Sequence, residues 1–108
     1  MICTMLRSLI KKQLLAFEWD EANSDKIAHK HGISAKEAEE VFLSETALVL
    51  PDIAHSQAED RFILVGQTLL STYLFVVFTV RGDKIRIISA RKMHQHEINK
   101  YEKITASH

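Results

Sequence analysis

The segment from residue 79 to residue 91 constrains the fold most, because it predicts most of a β-hairpin. Gly82-Asp83 separates two runs of strand-forming residues, 74–80 and 85–89. A two-residue loop that begins with glycine is typical of a tight hairpin, since glycine accepts the positive φ of the turn. Such a loop fixes the register, and the register determines which side chains share a face of the sheet.

The predicted register puts four cross-strand pairs on one face, with basic residues near the turn and apolar residues beyond them. The pairs are Arg81–Lys84, Thr79–Arg86, Val77–Ile88 and Phe75–Ala90. Like charges in neighbouring positions are unfavourable, so solvent, an acidic neighbour or an anionic ligand has to compensate. A solvated hairpin tip and a phosphate-binding surface both stay open from the pattern alone. Arg91 ends the same strand, but this register predicts it on the opposite face.

Length and composition predict one globular domain without a disulfide framework. The chain has 108 residues, 46% of them hydrophobic and 26% charged, and its single cysteine is Cys3. No apolar run approaches the roughly 20 residues of a membrane span. A lone cysteine suits a reducing compartment, so we expect a cytoplasmic protein with no membrane partner.

Charge is distributed unevenly, although the net charge is zero. Residues 1–15 carry +3, residues 16–60 carry −8 and residues 61–108 carry +5. The basic second half favours an anionic partner. Alternatively, the domain is self-complementary, with the acidic helices covering part of the basic sheet, and both interpretations stay open.

Residue patterning along the whole chain predicts an α+β domain in the order β-α-α-β-β-β-β-α, with a largely antiparallel sheet and helices against one face. The clearest helix signal is the capping box formed by Ser34 and Glu37. Strands are expected at residues 13–19, 46–50, 60–67, 73–80 and 85–89, and helices at 21–31, 35–43 and 93–104.

No histidine pair has the spacing of a metal site. His29 and His31 lie two residues apart in a predicted helix, as do His94 and His96, so each pair should point in different directions. The i, i+4 spacing that places two histidines on one helix face is missing. We therefore predict no metal ion and no cofactor.

A set of charged residues has the chemistry to cleave RNA without a metal ion. The reaction needs a group that takes the proton of the ribose 2′-hydroxyl, cations that stabilise charge at phosphorus, and a donor for the leaving oxygen. Arginine and lysine meet the second need, and Glu59 or a histidine such as His55 meets the first. Taken singly, each residue is also an ordinary surface charge. The candidates are Lys30, His55, Glu59, Arg61, Arg81, Lys84, Arg86 and Arg91.

Six short segments are weak signals individually and specific as an ordered set. They are Phe17-Glu18-Trp19-Asp20, Lys30-His31-Gly32-Ile33, Pro51-Asp52 with His55-Ser56, Glu59-Asp60-Arg61-Phe62, Arg81-Gly82-Asp83 and Ile85-Arg86-Ile87-Ile88-Ser89-Ala90-Arg91. Together they resemble the BrnT family of type II toxins. The resemblance runs from residue 17 to about residue 101. We therefore expect one toxin domain over residues 15–105 and an extension, beyond the family's usual start, over residues 1–14.

The resemblance implies a RelE-like fold and a ribonuclease activity that arrests translation and growth. It also implies a BrnA-type antitoxin that has a ribbon-helix-helix part and masks the toxin. The toxin would contact DNA only indirectly, through this antitoxin. The loop at residues 53–59 departs from the family by a less acidic approach to Glu59. The resemblance implies that the family's basic residues correspond to Lys30, Arg61, Arg81, Arg86 and Arg91, with Glu59 beside them. Together with the residue pattern, which adds Lys84 and His55, it leads us to expect catalytic roles for Arg61, Arg81, Arg86 and Glu59, and substrate-binding roles for Lys30, Arg91, Lys84 and His55.

Two hypotheses follow from the sequence. The first is a metal-independent endoribonuclease toxin neutralised by its antitoxin. The second is a non-catalytic binding module, or an inactive toxin that acts as a co-repressor with its DNA-binding partner. The second is favoured by a shortage of aromatic side chains for base stacking, since Trp19, Tyr73 and Tyr101 all fit core positions.

Overall fold

The computed structural model describes residues 16–19, 26, 31–55 and 59–106. These residues form five strands, two α-helices and one short 3-10 helix, Ile53–His55. Of the predicted helix at residues 21–31, only Lys26 and His31 are described, and both are helical. The strands are β1 (Ala16–Glu18), β2 (Leu48–Pro51), β3 (Arg61–Gln67), β4 (Tyr73–Arg81) and β5 (Lys84–Lys92), and the helices are α1 (Ala35–Phe42) and α2 (Gln95–Ala106).

The five strands form one sheet in the order β1-β5-β4-β3-β2. Strands β2 to β5 pair antiparallel, whereas the short edge strand β1 runs parallel to β5. The predicted α+β class is confirmed, with a mixed sheet. Strand β4 lies in the middle, as its nearly continuous apolar sequence predicted.

The two helices pack on opposite faces of the sheet, whereas the sequence led us to expect helices against one face. Helix α1 packs through Val41 and Phe42 on the face that carries Val76 and Phe78. Helix α2 packs through Tyr101 near Val65 on the other face. Successive residues of β3 and β4 point to opposite faces of the sheet, and most of them are apolar on either face. Each face therefore needs a helix to cover it. We call the two sides the α1 face and the α2 face.

Helix α1 begins where the capping box was predicted. The Ser34 hydroxyl accepts a hydrogen bond from the Glu37 backbone N–H at 3.1 Å, and the Glu37 carboxylate accepts one from the Ser34 N–H at 3.0 Å. The buried residues of the helix are Ala38, Val41 and Phe42, spaced to form one stripe against the sheet.

Two side chains, one within β1 and one just after it, attach this short strand to α1. The Phe17 ring packs edge-on against Phe42, with 5.2 Å between the ring centroids. The Trp19 indole N–H donates to a Glu39 carboxylate oxygen at 2.6 Å. These contacts fix the position of Glu18, whose side chain points to the α2 face.

The register of β4 and β5 agrees with the prediction near the turn and departs from it further along. Arg81 pairs with Lys84 and Thr79 pairs with Arg86, as expected. A β-bulge then shifts the register, and Ile88 is the extra residue of β5. The sequence gives no signal for the bulge, because both Ile88 and its neighbour fit a regular strand.

The bulge overturns two predicted pairs and one predicted direction. Val77 pairs with Ser89 instead of Ile88, and Phe75 pairs with Arg91 instead of Ala90. Ala90 is fully buried on the α1 face, and Arg91 therefore lies on the α2 face with Arg86. The predicted placement of Arg91 on the opposite face is wrong for this reason.

Strand β3 lies directly against α1 at Gly66, whose Cα lies on the α1 face. A Cβ added here would lie 3.0 Å from Val41 Cγ1 and 3.1 Å from Ala47 Cβ. The missing side chain thus allows the helix and its following loop to contact the sheet directly.

We predict that Gly66→Ala lowers the free energy of unfolding by about 1–3 kcal/mol, because the new methyl group overpacks the core. The penalty should be smaller in a Val41→Ala background, where the closest contact is removed. Urea unfolding of the wild type, the two single variants and the double variant measures this coupling. An equal penalty in both backgrounds would show that Val41 does not limit the space at this position.

Candidate functional site

Four residues from four adjacent strands form a row across the α2 face. The strand pairings place Glu18 beside Arg86, Arg86 beside Thr79, and Thr79 beside Arg61. Neighbouring strands lie about 4.8 Å apart, so the backbones of Arg61 and Arg86 are separated by about 10 Å. We call these four residues the central row. The sheet register alone thus brings two predicted arginines together.

Carboxylates and guanidinium groups alternate in a second set of residues, which shares Glu18 and Arg86 with the central row. An Arg81 Nη2 lies 3.3 Å from Glu59 Oε2, and its Nη1 lies 3.8 Å from Glu18 Oε1. The same Glu18 oxygen lies 3.3 Å from Arg86 Nη1. We call Glu59, Arg81, Glu18 and Arg86 the charged cluster. Within it, acidic neighbours provide the compensation that the basic hairpin requires.

The charged cluster is open to solvent. The side chain of Arg81 is 49% exposed and that of Arg86 is 30% exposed. Ion pairs of this exposure each contribute at most about 1 kcal/mol, because water and salt screen them. An anionic ligand can therefore replace a carboxylate at these guanidinium groups without a large cost.

Thr79 positions the segment that leads into β3. It is 1% exposed, and its hydroxyl donates a hydrogen bond to the Asp60 carbonyl oxygen at 2.7 Å. Asp60 lies between Glu59 and Arg61 in the chain. This hydrogen bond therefore helps to fix the segment that carries two predicted site residues beside β4.

A groove of about 310 Å³ lies beside the central row on the α2 face. Most of its lining is apolar, and Arg61 lies on its wall. Both Ile88 and Ser89 contribute to it, as expected when a bulge turns two consecutive side chains to one side. The lining residues are Asp52, Arg61, Ile63, Phe75, Val77, Ile88 and Ser89.

Arg91 connects β5 to α2. Its two terminal nitrogens donate to the two carboxylate oxygens of Glu97 at 2.8 and 2.9 Å. Its guanidinium carbon lies 4.0 Å above the centroid of the Phe75 ring. These hydrogen bonds raise the pKa of Arg91 and lower the pKa of Glu97 to about 2, with a smaller contribution from the His94 N–H. The main role of Arg91 in the fold is therefore to link β5 to α2.

The remaining predicted site residues lie apart from these contacts or outside the description. Lys84 is exposed and pairs with Arg81 at the turn. Lys30 lies outside the described residues. His55 ends the 3-10 helix, and its side chain is outside the description.

Trp19, Tyr73 and Tyr101, the candidates for base stacking, all make hydrogen bonds within the folded domain. Tyr101 is 4% exposed, and its hydroxyl donates to the Thr46 carbonyl oxygen at 2.9 Å. The Tyr73 hydroxyl donates to Glu102 at 2.7 Å, and Trp19 is held by Glu39.

Glu18 belongs to the charged cluster but was not predicted from the sequence. Its contact with Arg86 joins residues 68 positions apart, through a parallel pairing that local patterns do not reveal. The one available signal was its presence in the Phe17-Glu18-Trp19-Asp20 segment. The expectation that His94 and His96 point apart is also wrong, since their ring centroids lie 5.7 Å apart.

The fold and the charged cluster together define a class of protein: a small α+β domain with an open, arginine-bearing face suited to a phosphate-containing partner. A family model described as "Ribonuclease toxin, BrnT, of type II toxin-antitoxin system" matches residues 19–97. The chain therefore belongs to the BrnT family of ribonuclease toxins, and the resemblance inferred from the sequence is confirmed. The family implies an RNA target and an antitoxin partner.

A solved structure supports the same assignment. The chain is similar to the Brucella abortus ribonuclease toxin BrnT, known from a 1.1 Å crystal structure, with 28% sequence identity and a TM-score of 0.60. The match covers 76% of this chain and 99% of the Brucella chain. A search of curated proteins finds no match. Among the described residues, no helix has the length and apolar character to cross a membrane.

We predict that the link between Arg91 and Glu97 makes folding pH-dependent. The folded pKa of Glu97 is lowered from 4.5 to about 2, so its stabilisation is complete above pH 4.5 and is lost as the pH falls towards 2. The loss amounts to at most about 3 kcal/mol, since both side chains are less than one-third exposed. Urea unfolding at pH 7 and at pH 3 should show most of this loss in the wild type, since pH 3 lies between the two pKa values, and a smaller loss in Glu97→Gln.

Glu102→Gln serves as the control for removing a carboxylate from α2. Equal pH dependence in the wild type and Glu97→Gln would contradict the link.

Proposed function

We propose that the chain is a toxin that cleaves RNA as a metal-independent endoribonuclease, arresting translation and growth. A BrnA-type ribbon-helix-helix antitoxin neutralises it, and the toxin meets DNA only through that antitoxin. The observation that carries the proposal is the charged cluster, in which two guanidinium groups converge on one point of an open sheet face.

The convergence point is marked by Glu18 Oε1, which lies within 3.8 Å of both Arg81 and Arg86. An oxygen of an RNA phosphate has the same charge preference as this carboxylate oxygen and can take its place. Arginine suits this exchange because its planar donors bind two oxygens at once. Arg61 and Lys84 add positive charge on either side of the cluster.

In the proposed reaction, Glu59 removes the proton of the ribose 2′-hydroxyl. The 2′-oxygen then forms a bond to phosphorus as the bond from phosphorus to the 5′-oxygen breaks, and the 5′-oxygen leaves with a proton from water, which reaches the open cluster. Arg81 and Arg86 stabilise the extra negative charge at phosphorus. The products are a 2′,3′-cyclic phosphate and a 5′-hydroxyl end.

The groove next to the central row offers a place for a base adjacent to the scissile phosphate. Its walls include Ile63, Val77 and Ile88, which provide apolar contact for a flat ring. This location is consistent with recognition of single-stranded RNA, in which bases are free of pairing. The groove can thus replace the base-stacking surface that Trp19, Tyr73 and Tyr101 do not provide.

We predict that Arg81→Ala/Arg86→Ala abolishes growth arrest after induced expression, because the phosphate loses both guanidinium groups. Total RNA separated on a gel should be degraded in cells that make the wild type and intact in cells that make the double variant. The protein should stay folded, since both side chains are partly exposed and their ion pairs are weak.

Lys36→Ala/Lys103→Ala is the matched control, because it removes two positive charges from the helices and leaves the cluster intact. It should arrest growth like the wild type. Full toxicity of the arginine double variant would contradict the site. Soluble wild-type protein that causes no arrest would favour the co-repressor hypothesis.

A second prediction concerns the general base, the side chain that removes the 2′-hydroxyl proton. Glu59→Gln should lower kcat by roughly 10²–10⁴-fold, the usual contribution of a positioned general base. Glu18→Gln should lower kcat less than Glu59→Gln does. Its main effect should be a lower KM, because the Glu18 carboxylate occupies the place that the phosphate takes. Cleavage of a short RNA by purified protein measures both, and added EDTA should leave the wild-type rate unchanged. The opposite ranking of the two variants would assign the base role to Glu18.

A further inference from the structure

We propose that His94, His96 and Glu97, at the start of α2, form a binding site for a transition-metal cation such as Zn²⁺. The ligand atoms of these three residues lie within 4.8 Å of one another. They belong neither to the charged cluster nor to the central row. The proposal is therefore independent of the proposed RNA cleavage.

The start of α2 explains why the two histidines converge. The His94 carbonyl oxygen accepts hydrogen bonds from the N–H groups of Glu97 and Ile98, at 2.9 and 3.0 Å, although His94 itself precedes the helix. His94 is thus the residue that caps the helix, and its side chain does not follow the helical spiral. His96 lies in the first turn, and the two rings approach each other across it.

The distances are close to those that a metal ion needs. Four-coordinate zinc has bonds of about 2.0–2.1 Å to nitrogen and oxygen, which puts neighbouring ligand atoms about 3.3 Å apart. His94 Nδ1 already lies 3.7 Å from Glu97 Oε1. The widest separation has to close by about 1.5 Å, and rotation of the two exposed imidazole side chains supplies this movement.

The chemistry of the three ligands selects the class of cation. Two imidazole nitrogens and one carboxylate oxygen suit Zn²⁺ and its neighbours in the first transition series, whereas Mg²⁺ and Ca²⁺ prefer sites made of oxygen alone. Water completes the coordination, because His94 and His96 are exposed.

Arg91 competes with the cation for Glu97. Both Glu97 oxygens accept hydrogen bonds from Arg91, and Oε1 also accepts one from the His94 N–H at 2.7 Å. These contacts hold the carboxylate in place, but the guanidinium charge and the positive end of α2 both oppose a cation. Metal binding therefore weakens the link from Arg91 to α2, and loss of Arg91 strengthens metal binding.

The test is a calorimetric titration of the full chain with ZnCl₂ after removal of metal with EDTA and dialysis. His96→Ala should weaken the tightest binding event at least tenfold, as expected for loss of a ligand. Its side chain is exposed, so the variant should fold. His31→Ala is the matched control and should bind like the wild type.

Two further variants separate the three-residue site from adventitious binding by two histidines. Arg91→Gln should raise the affinity for Zn²⁺, whereas Glu97→Gln should lower it, and circular dichroism confirms that each is folded. If Arg91→Gln does not fold, Arg91→Lys replaces it, because lysine loses the two-point contact. Equal binding by the wild type and His96→Ala would overturn the proposal, and so would indifference of the affinity to both Arg91 and Glu97.

Discussion

The pairing of β4 with β5 is the constraint on which the rest of the structure depends. Near the turn it brings basic side chains to the α2 face, and after the bulge at Ile88 it turns Arg91 to that same face. Without the extra residue, Arg91 would occupy the α1 face, where Ala90 is fully buried against the core. A guanidinium group there would lose its hydration without a partner, which is far more costly than one irregular pair in the ladder.

The helices and strands could be predicted because their signals are local in the sequence. The site could be predicted only in part, because it depends on pairing between distant segments. The capping box at Ser34 and the register at Arg81 depend on neighbouring residues, and both were predicted correctly. The contact of Glu18 with Arg86 depends on a parallel edge strand 68 residues away, so no local pattern announced it. The convergence of His94 with His96 depends on which residue caps α2, and helix boundaries are where sequence patterns are least informative.

The uneven charge of the chain acquires a physical explanation from the charged cluster. Glu18 and Glu59 come from the acidic first part of the sequence, and Arg81 and Arg86 come from the basic second part. Two acidic side chains thus reach the basic face from β1 and from the segment before β3, whereas the sequence led us to expect acidic helices there. Their ion pairs are partly exposed, so an anion can replace them. Neutralisation in the free protein limits repulsion between the arginines, and it keeps them directed at one point before a ligand arrives.

The three arginines of β4 and β5 on this face differ in their partners, and this difference divides the face into two parts. Glu97 is 19% exposed and holds Arg91 by two hydrogen bonds of 2.8 and 2.9 Å. The carboxylates around Arg81 and Arg86 are about twice as exposed, and their contacts are 3.3 to 3.8 Å long. Short contacts in a drier environment are stronger, because less water screens them. The fold therefore retains Arg91 as part of its own framework, whereas Arg81 and Arg86, near the hairpin turn, have acidic partners that an anion can replace.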